Sequence, residues 1–326
     1  MPQIIVTTVI RNGSRERNGF VFEIDWTLKK IMHQFPLPDI DVEELGPRGG
    51  ARGARGTLSV GGYHYIANFN TIFVYDDTWN LRGEIQHPLF NGLHEMDYDY
   101  DGLWVSSTGI DAILKLDWEG NLQSSLFFGE LEDHIRETLQ ISERRCDHTV
   151  NQRRALYPNE LLVTHVNSVK LYNERPYACL NKQGAIVALD PLEIIVPPSG
   201  KAGFHNGTRV NDDLLLVNSS YEKKLYGFKP DDGQIEFEID WHAELKTMYQ
   251  KDKQLLEDIF CGKNTDGNVA QNGWARGLDV LESGRVLIGF APAMIAELDL
   301  EDKKIIDVFP LDDDVHHAVH GLSVVK

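Results

Sequence analysis

Six side chains able to do chemistry recur in this chain at intervals far too long for any local motif: Arg55, His94, His148, His205, Arg276 and His320. Neutral imidazoles brought to one point can give lone pairs to a single ion, and imidazole suits iron, copper or zinc. His94, His148, His205 and His320 are therefore the candidate metal ligands, with iron expected first and copper or zinc after it. Four ligands spaced unevenly around a centre leave one or two positions open, as a working metal needs. The forked guanidiniums of Arg55 and Arg276 favour a carboxylate, sulfate or phosphate oxygen pair. They are the candidate catalytic side chains together with Asn151 and Asn206, and Trp274 could wall the site. Without a metal, one neutral histidine could serve as a general base.

A repeat is what would gather these residues. The stretch from Arg276 reads as strand, turn, strand, turn, strand closed by Asp299, then a fourth strand. The stretch from His94 repeats it, with Gly102 matching Gly284 and Asp117 matching Asp299. His205 opens a third copy and Arg55 a fourth that is one residue shorter. His148 opens a fifth with a longer first turn, and His320 a fragment. Six such units predict an all-β, six-bladed propeller, its ring closed by the C-terminal strand joining the N-terminal ones. Equivalent positions on inner strands then converge on the channel, which is the basis for expecting one site.

Blade three is the least regular. Strands are expected at 161–164, 184–190 and 192–196, with 165–183 either a hairpin or a loop. Two stretches with partly helical patterning, at about 129–147 and 241–272, read as insertions in one propeller domain spanning 1–326. They are candidate pocket walls, and surfaces through which a homo-oligomer could form. The pairs Asp25-Trp26, Asp117-Trp118 and Asp240-Trp241 predict turns between third and fourth strands, with the indole packed between blades.

Composition narrows the function classes. With 326 residues and a formal net charge of -18, the surface repels a phosphate backbone, which argues against nonspecific nucleic-acid binding. Glycine, at 28 residues, suits a fold made of many tight turns. Cys146, Cys179 and Cys261 are too scattered for a disulfide framework or a metal knuckle. The start of the chain does not read as a signal peptide, and no run is long enough to span a membrane, so a cytoplasmic protein is expected. Nucleotide-binding glycine loops, a GxSxG elbow and an HExxH helix are missing from the sequence.

The matched histidines resemble those of the carotenoid-cleaving oxygenases, propellers that hold a non-haem iron through four axial histidines. The resemblance covers the repeat arrangement and His94, His148, His205 and His320, and it implies a central metal and oxygen chemistry. Propeller lyases and aryl sulfotransferases also use channel histidines, and the arginine pair suits their anionic substrates. The expected function is thus a metal-dependent enzyme, an oxygenase or lyase, acting on a small anionic or aromatic molecule. One alternative is a non-catalytic propeller scaffold that binds a protein or small ligand. Another is a metal-free, histidine-based lyase or transferase.

Overall fold

The computed structural model describes residues 2–38, 42, 53–200, 203–248, 274–312, 314 and 316–325. Blade one contains β4 (Thr57–Val60), β5 (Tyr63–Ala67), β6 (Ile72–Asp76) and β7 (Leu81–Ile85). Blade two follows with β8 (Leu93–Asp99), β9 (Gly102–Ser107), β10 (Ala112–Asp117) and β11 (Leu122–Phe127). Blade three has β12 (Val166–Tyr172), β13 (Arg175–Leu180), β14 (Ala185–Leu189) and β15 (Leu192–Val196). Blade four has β16 (Phe204–Asn211), β17 (Leu214–Ser219), β18 (Lys224–Phe228) and β19 (Ile235–Ile239). Blade five has β20 (Trp274–Val280), β21 (Val286–Ala291), β22 (Met294–Asp299) and β23 (Lys304–Pro310). Blade six combines β24 (His317–Val324) with β1 (Gln3–Ile10), β2 (Val21–Asp25) and β3 (Lys30–Phe35).

Each blade is a four-stranded antiparallel sheet, and the six-bladed propeller expected from the repeats is the observed fold. The C-terminal β24 pairs with β1 from Ile4 opposite Val324 to Ile10 opposite His317, which closes the ring. Closure sets apolar residues of blade six against blade five on one side and blade one on the other.

The core is divided into layers between blades. One cluster joins Leu58 and Ile72 of blade one to Leu93 and Leu103 of blade two. Comparable clusters lie at each of the other five junctions, including Ile5 and Val21 of blade six against Ile66 and Phe73 of blade one. A strand packed on both faces has no wet side, so β21 is buried along its whole length, whereas the outermost β7 is largely exposed.

The recurrent Asp at the end of the third strand has a local cause. Asp76 Oδ1 accepts the Thr78 and Asn80 N–H groups, Asp117 Oδ1 those of Glu119 and Asn121, and Asp299 Oδ1 those of Glu301 and Asp302. The carboxylate folds the turn into the fourth strand. Tryptophans in these turns staple neighbouring blades. Trp26 Nε1 donates to Glu297 at 2.6 Å, and Trp79 Nε1 to Glu23 at 2.7 Å. Asp240-Trp241 departs from the expected turn. It opens the helix α2 (Trp241–Met248), and the buried indole packs on Phe290.

Blade three also departs from its expected register. The segment 165–183 is a hairpin built by β12 and β13, and β12 is the inner strand. Residues 159–161 form a 3-10 turn where the sequence suggested the start of a strand. The first insertion holds the helix α1 (Asp133–Leu139), whose Leu139 is buried against Phe128 and Val166 of neighbouring elements. The second insertion beyond residue 248, with Cys261, lies outside the described residues.

Candidate functional site

The six inner strands neighbour one another in the order β4, β8, β12, β16, β20 and β24. Near the axis, space is scarce. A Cβ on Gly56 would meet the His94 carbonyl oxygen at 1.9 Å, and one on Gly321 the Arg55 carbonyl at 2.2 Å. These two glycines let the strands approach closely enough to converge their neighbours Arg55 and His320.

A second device sits at the same level. On β8 the register slips between Leu93 and Met96, on β16 between Phe204 and Gly207, and on β20 between Ala275 and Leu278. On β24 it slips at His320, and on β12 between Val166 and Ser168. The extra residues are His94-Glu95, His205-Asn206 and Arg276-Gly277. A bulge breaks the strict alternation of side chains, so it re-aims residues that a regular strand would send to opposite faces. Five inner strands thus carry bulges beside the candidate residues.

The rings of His94, His205 and His320 converge. Their centroids are 4.8 Å apart for His94 and His320, and 5.9 Å for each of the other two pairs. The fourth histidine is His165, 5.7 Å from His94, and not His148. His148 stacks on Phe127 at 4.1 Å and contacts Glu130 at 3.1 Å in the first insertion. The reason is the register of blade three, whose inner strand starts eighteen residues later than the repeat suggested. Asn151 is likewise outside the ring, in an exposed turn where Oδ1 accepts the Arg153 N–H.

His165 owes its place to a residue that the repeat did not single out. Buried Asp111 accepts the N–H groups of Val163, Thr164 and His165 at 2.8 to 2.9 Å, the Thr164 hydroxyl, and Arg144. This carboxylate pins His165 in a left-handed conformation, φ 51°. Asp111 stands alone in sequence, so only the fold reveals its role.

Asn206 is buried and spent on structure. Its Nδ2 donates to Glu95 Oε1 at 2.9 Å and its Oδ1 accepts the Gly277 N–H at 2.8 Å, tying blades two, four and five together. Arg55 donates to the Leu93 carbonyl at 3.2 Å, and its guanidinium lies 5.4 Å from the Phe69 ring centre. Arg276 lies 5.0 Å from the ring centre of Trp274, and Arg11 5.9 Å from it.

These groups line a cavity of about 810 Å³. Its wall includes Arg11, Arg55, Arg276, the four histidines and Trp274, with Leu156 to Glu160 from the insertion before blade three. Asn91 holds that insertion in place, its Nδ2 donating to the Gln152 and Ala155 carbonyls. Among the described lining residues, three are guanidiniums and one, Glu160, is a carboxylate. In a chain of net charge -18, that is a local inversion of sign.

Burial and neighbouring cations set the charge states. Burial pulls Arg55 down to about 10, and burial followed by Arg11 and Arg55 pulls Arg276 down to about 9, so both stay charged at neutral pH. Burial, then Arg276, lowers His165 to about 4. Burial also holds His94, His205 and His320 well below the usual imidazole range, aided by Arg55 at His94 and by Arg276 at His205. The four rings are neutral at pH 7. Among the described residues, no three His, Cys, Asp or Glu side chains form a ready metal-binding group as they stand.

No protein-family model and no curated protein matches the sequence. Several solved structures share the fold. A protein of unknown function from Bacteroides caccae superposes with a TM-score of 0.61 at 11% identity, over 100% of this chain and 99% of its own. A chain of the nidogen/laminin complex gives 0.60 at 7% identity, with the same coverage. The WD40 propeller domain of Doa1 gives 0.53 at 9% identity, over 94% and 79%. At such identities the likeness is one of architecture.

Proposed function

We propose that the propeller is a binding scaffold for a small organic anion, seated in the cavity at Arg55 and Arg276. The observation that carries this reading is Arg276. Its guanidinium stands close to Arg11 and Arg55, has no carboxylate partner among the described residues, and leaves Nε without a hydrogen bond. A buried guanidinium beside like charges is unfavourable unless something of opposite sign meets it. The neutral histidines beside the anion add proton acceptors. The catalytic form of this reading is a metal-free lyase or transferase in which one imidazole moves a proton.

Thermal unfolding with phosphate, sulfate, citrate and gluconate, each against chloride at equal ionic strength, tests the reading. A ligand that binds only the folded chain raises its melting temperature. At least one anion should do so for the wild type and fail to do so for Arg276→Gln. No anion-specific rise would sink it.

A second reading keeps a divalent metal, iron first and then copper or zinc. What supports it is that His205 Nδ1 and His320 Nδ1 are buried without hydrogen-bond partners, beside His94. Elemental analysis of tag-free protein beside His205→Ala separates the two: about one ion per chain, lost in the variant, favours the metal.

A further inference from the structure

The ligand's anionic group is only half of what the cavity asks for. His94 Nδ1 has three polar neighbours: the Gly92 carbonyl oxygen at 2.8 Å, Thr108 Oγ1 at 2.9 Å and, farthest, the Arg55 guanidinium at 3.5 Å, so the two nearer ones decide its proton. A carbonyl can only accept. The Thr108 hydroxyl spends its own proton on the Val166 carbonyl at 2.5 Å, so it too accepts from His94. Nδ1 therefore carries the hydrogen of the neutral ring, and Nε2 carries a bare lone pair. His165 repeats the arrangement independently. Its Nδ1 donates to Asn159 Oδ1 at 2.7 Å, which leaves Nε2 as the acceptor. Among the described residues neither Nε2 has a partner, and both residues line the cavity.

A simple carboxylate, sulfate or phosphate dianion offers nothing to these two nitrogens. Lone pairs facing an anion's oxygens would repel it. A cationic N–H donor is disfavoured by the three guanidiniums. What remains is a neutral hydrogen-bond donor on the same molecule as the negative charge. We infer that the ligand is a hydroxy acid of the polyol or sugar-acid class, its anionic group on Arg276 and its hydroxyls donating to His94 Nε2 and His165 Nε2. This rests on the anion-binding reading and narrows it. A site built to bond hydroxyls discriminates strongly against an analogue that lacks them, because its buried polar groups are then left unsatisfied.

Isothermal titration with three six-carbon probes tests the inference. Gluconate has the charge and the hydroxyls, hexanoate the charge alone, and sorbitol the hydroxyls alone. Gluconate should bind at least ~10-fold more tightly than hexanoate, and sorbitol should show no measurable binding. Hexanoate equal to or tighter than gluconate would overturn the hydroxy-acid inference while leaving the anion site standing. Failure of both acids, with no anion raising the melting temperature, would remove the anion site itself. Failure of both acids while some other anion does raise it would overturn the hydroxy-acid inference alone. Long-range proton–nitrogen spectra of the imidazoles give a ligand-free check. His94 and His165 should both appear as Nδ1–H tautomers, and an Nε2–H tautomer at either would contradict the inference.

Discussion

The inner strands gather charge at two levels of the channel, and the two levels are built differently. At the first, Arg11, Arg55 and Arg276 share a cavity with Glu160 as the one carboxylate among its described lining residues. Farther along the same strands, the carboxylates of Glu95, Asp97 and Asp279 surround Lys170. Burial works against the charge of Lys170, yet those three carboxylates outweigh it and hold the ammonium above its usual range. Asp97 also accepts the Leu171 N–H, and Asp279 the Val324 N–H, each at 2.7 Å. The second level sets carboxylates against an ammonium and is hydrogen-bonded to neighbouring strands, as a structural polar cluster should be. At the first, the buried Arg276 guanidinium has no carboxylate partner among the described residues. Burial of charge is common to both, and what marks the ligand site is Arg276, a buried guanidinium that no carboxylate meets among the described residues.

That contrast can be broken from either side. The largest effect is expected at Asp111→Ala, which strips three backbone N–H groups and Arg144 of their acceptor. It should cost about 3 kcal/mol of stability, read by denaturant unfolding, and weaken anion binding as His165 is released. Lys170→Met removes the one cation from the carboxylate cluster and should cost about 2 kcal/mol, with anion binding retained. Arg276→Gln should do the reverse. Relief of like-charge repulsion should leave unfolding within about 1 kcal/mol of wild type, while anion affinity falls at least ~10-fold. Equal destabilisation by Lys170→Met and Arg276→Gln would erase the distinction between the two levels.

Glu95 adds a pH signature to the structural level. Burial first, with Asp279 and Asp97, lifts its carboxyl to about 7 from an ordinary 4.5, against the pull of Lys170 and Asn206. The folded chain therefore binds more protons than the unfolded one between those values. The stability this confers is present below pH 4.5 and is lost as pH rises through 7. Glu95→Gln keeps an acceptor for Asn206 and removes the titration. The variant should gain on the wild type between pH 5 and pH 8, by at most ~3 kcal/mol. The smallest effect belongs to His148→Ala, which should leave anion binding unchanged.

Much of this was legible in the sequence, and the remainder has physical reasons for being hidden. The third-strand Asp and first-turn Gly recur because blades one, two and five use the same turns, and that repeat made the six-fold count and the ring closure readable. Arg55, His94, His205, Arg276 and His320 share a register and do meet at one end of the channel. His148 misled because blade three begins after a long insertion. An imidazole near the expected interval looked like its first residue, while His165 sat inside a stretch read as hairpin or loop. The bulges left no compositional trace. Strand alternation alone would have turned Glu95 and Asn206 away from their partners. Asp111 acts through tertiary hydrogen bonds, and no local pattern reports those.

The central claim is that Arg276 awaits an anion, and titration of wild type and Arg276→Gln with gluconate at low and high salt tests it most directly. Saturable one-to-one binding by the wild type, weakened by salt and lost in a folded Arg276→Gln protein, is the predicted result. Identical isotherms for the two proteins would contradict it.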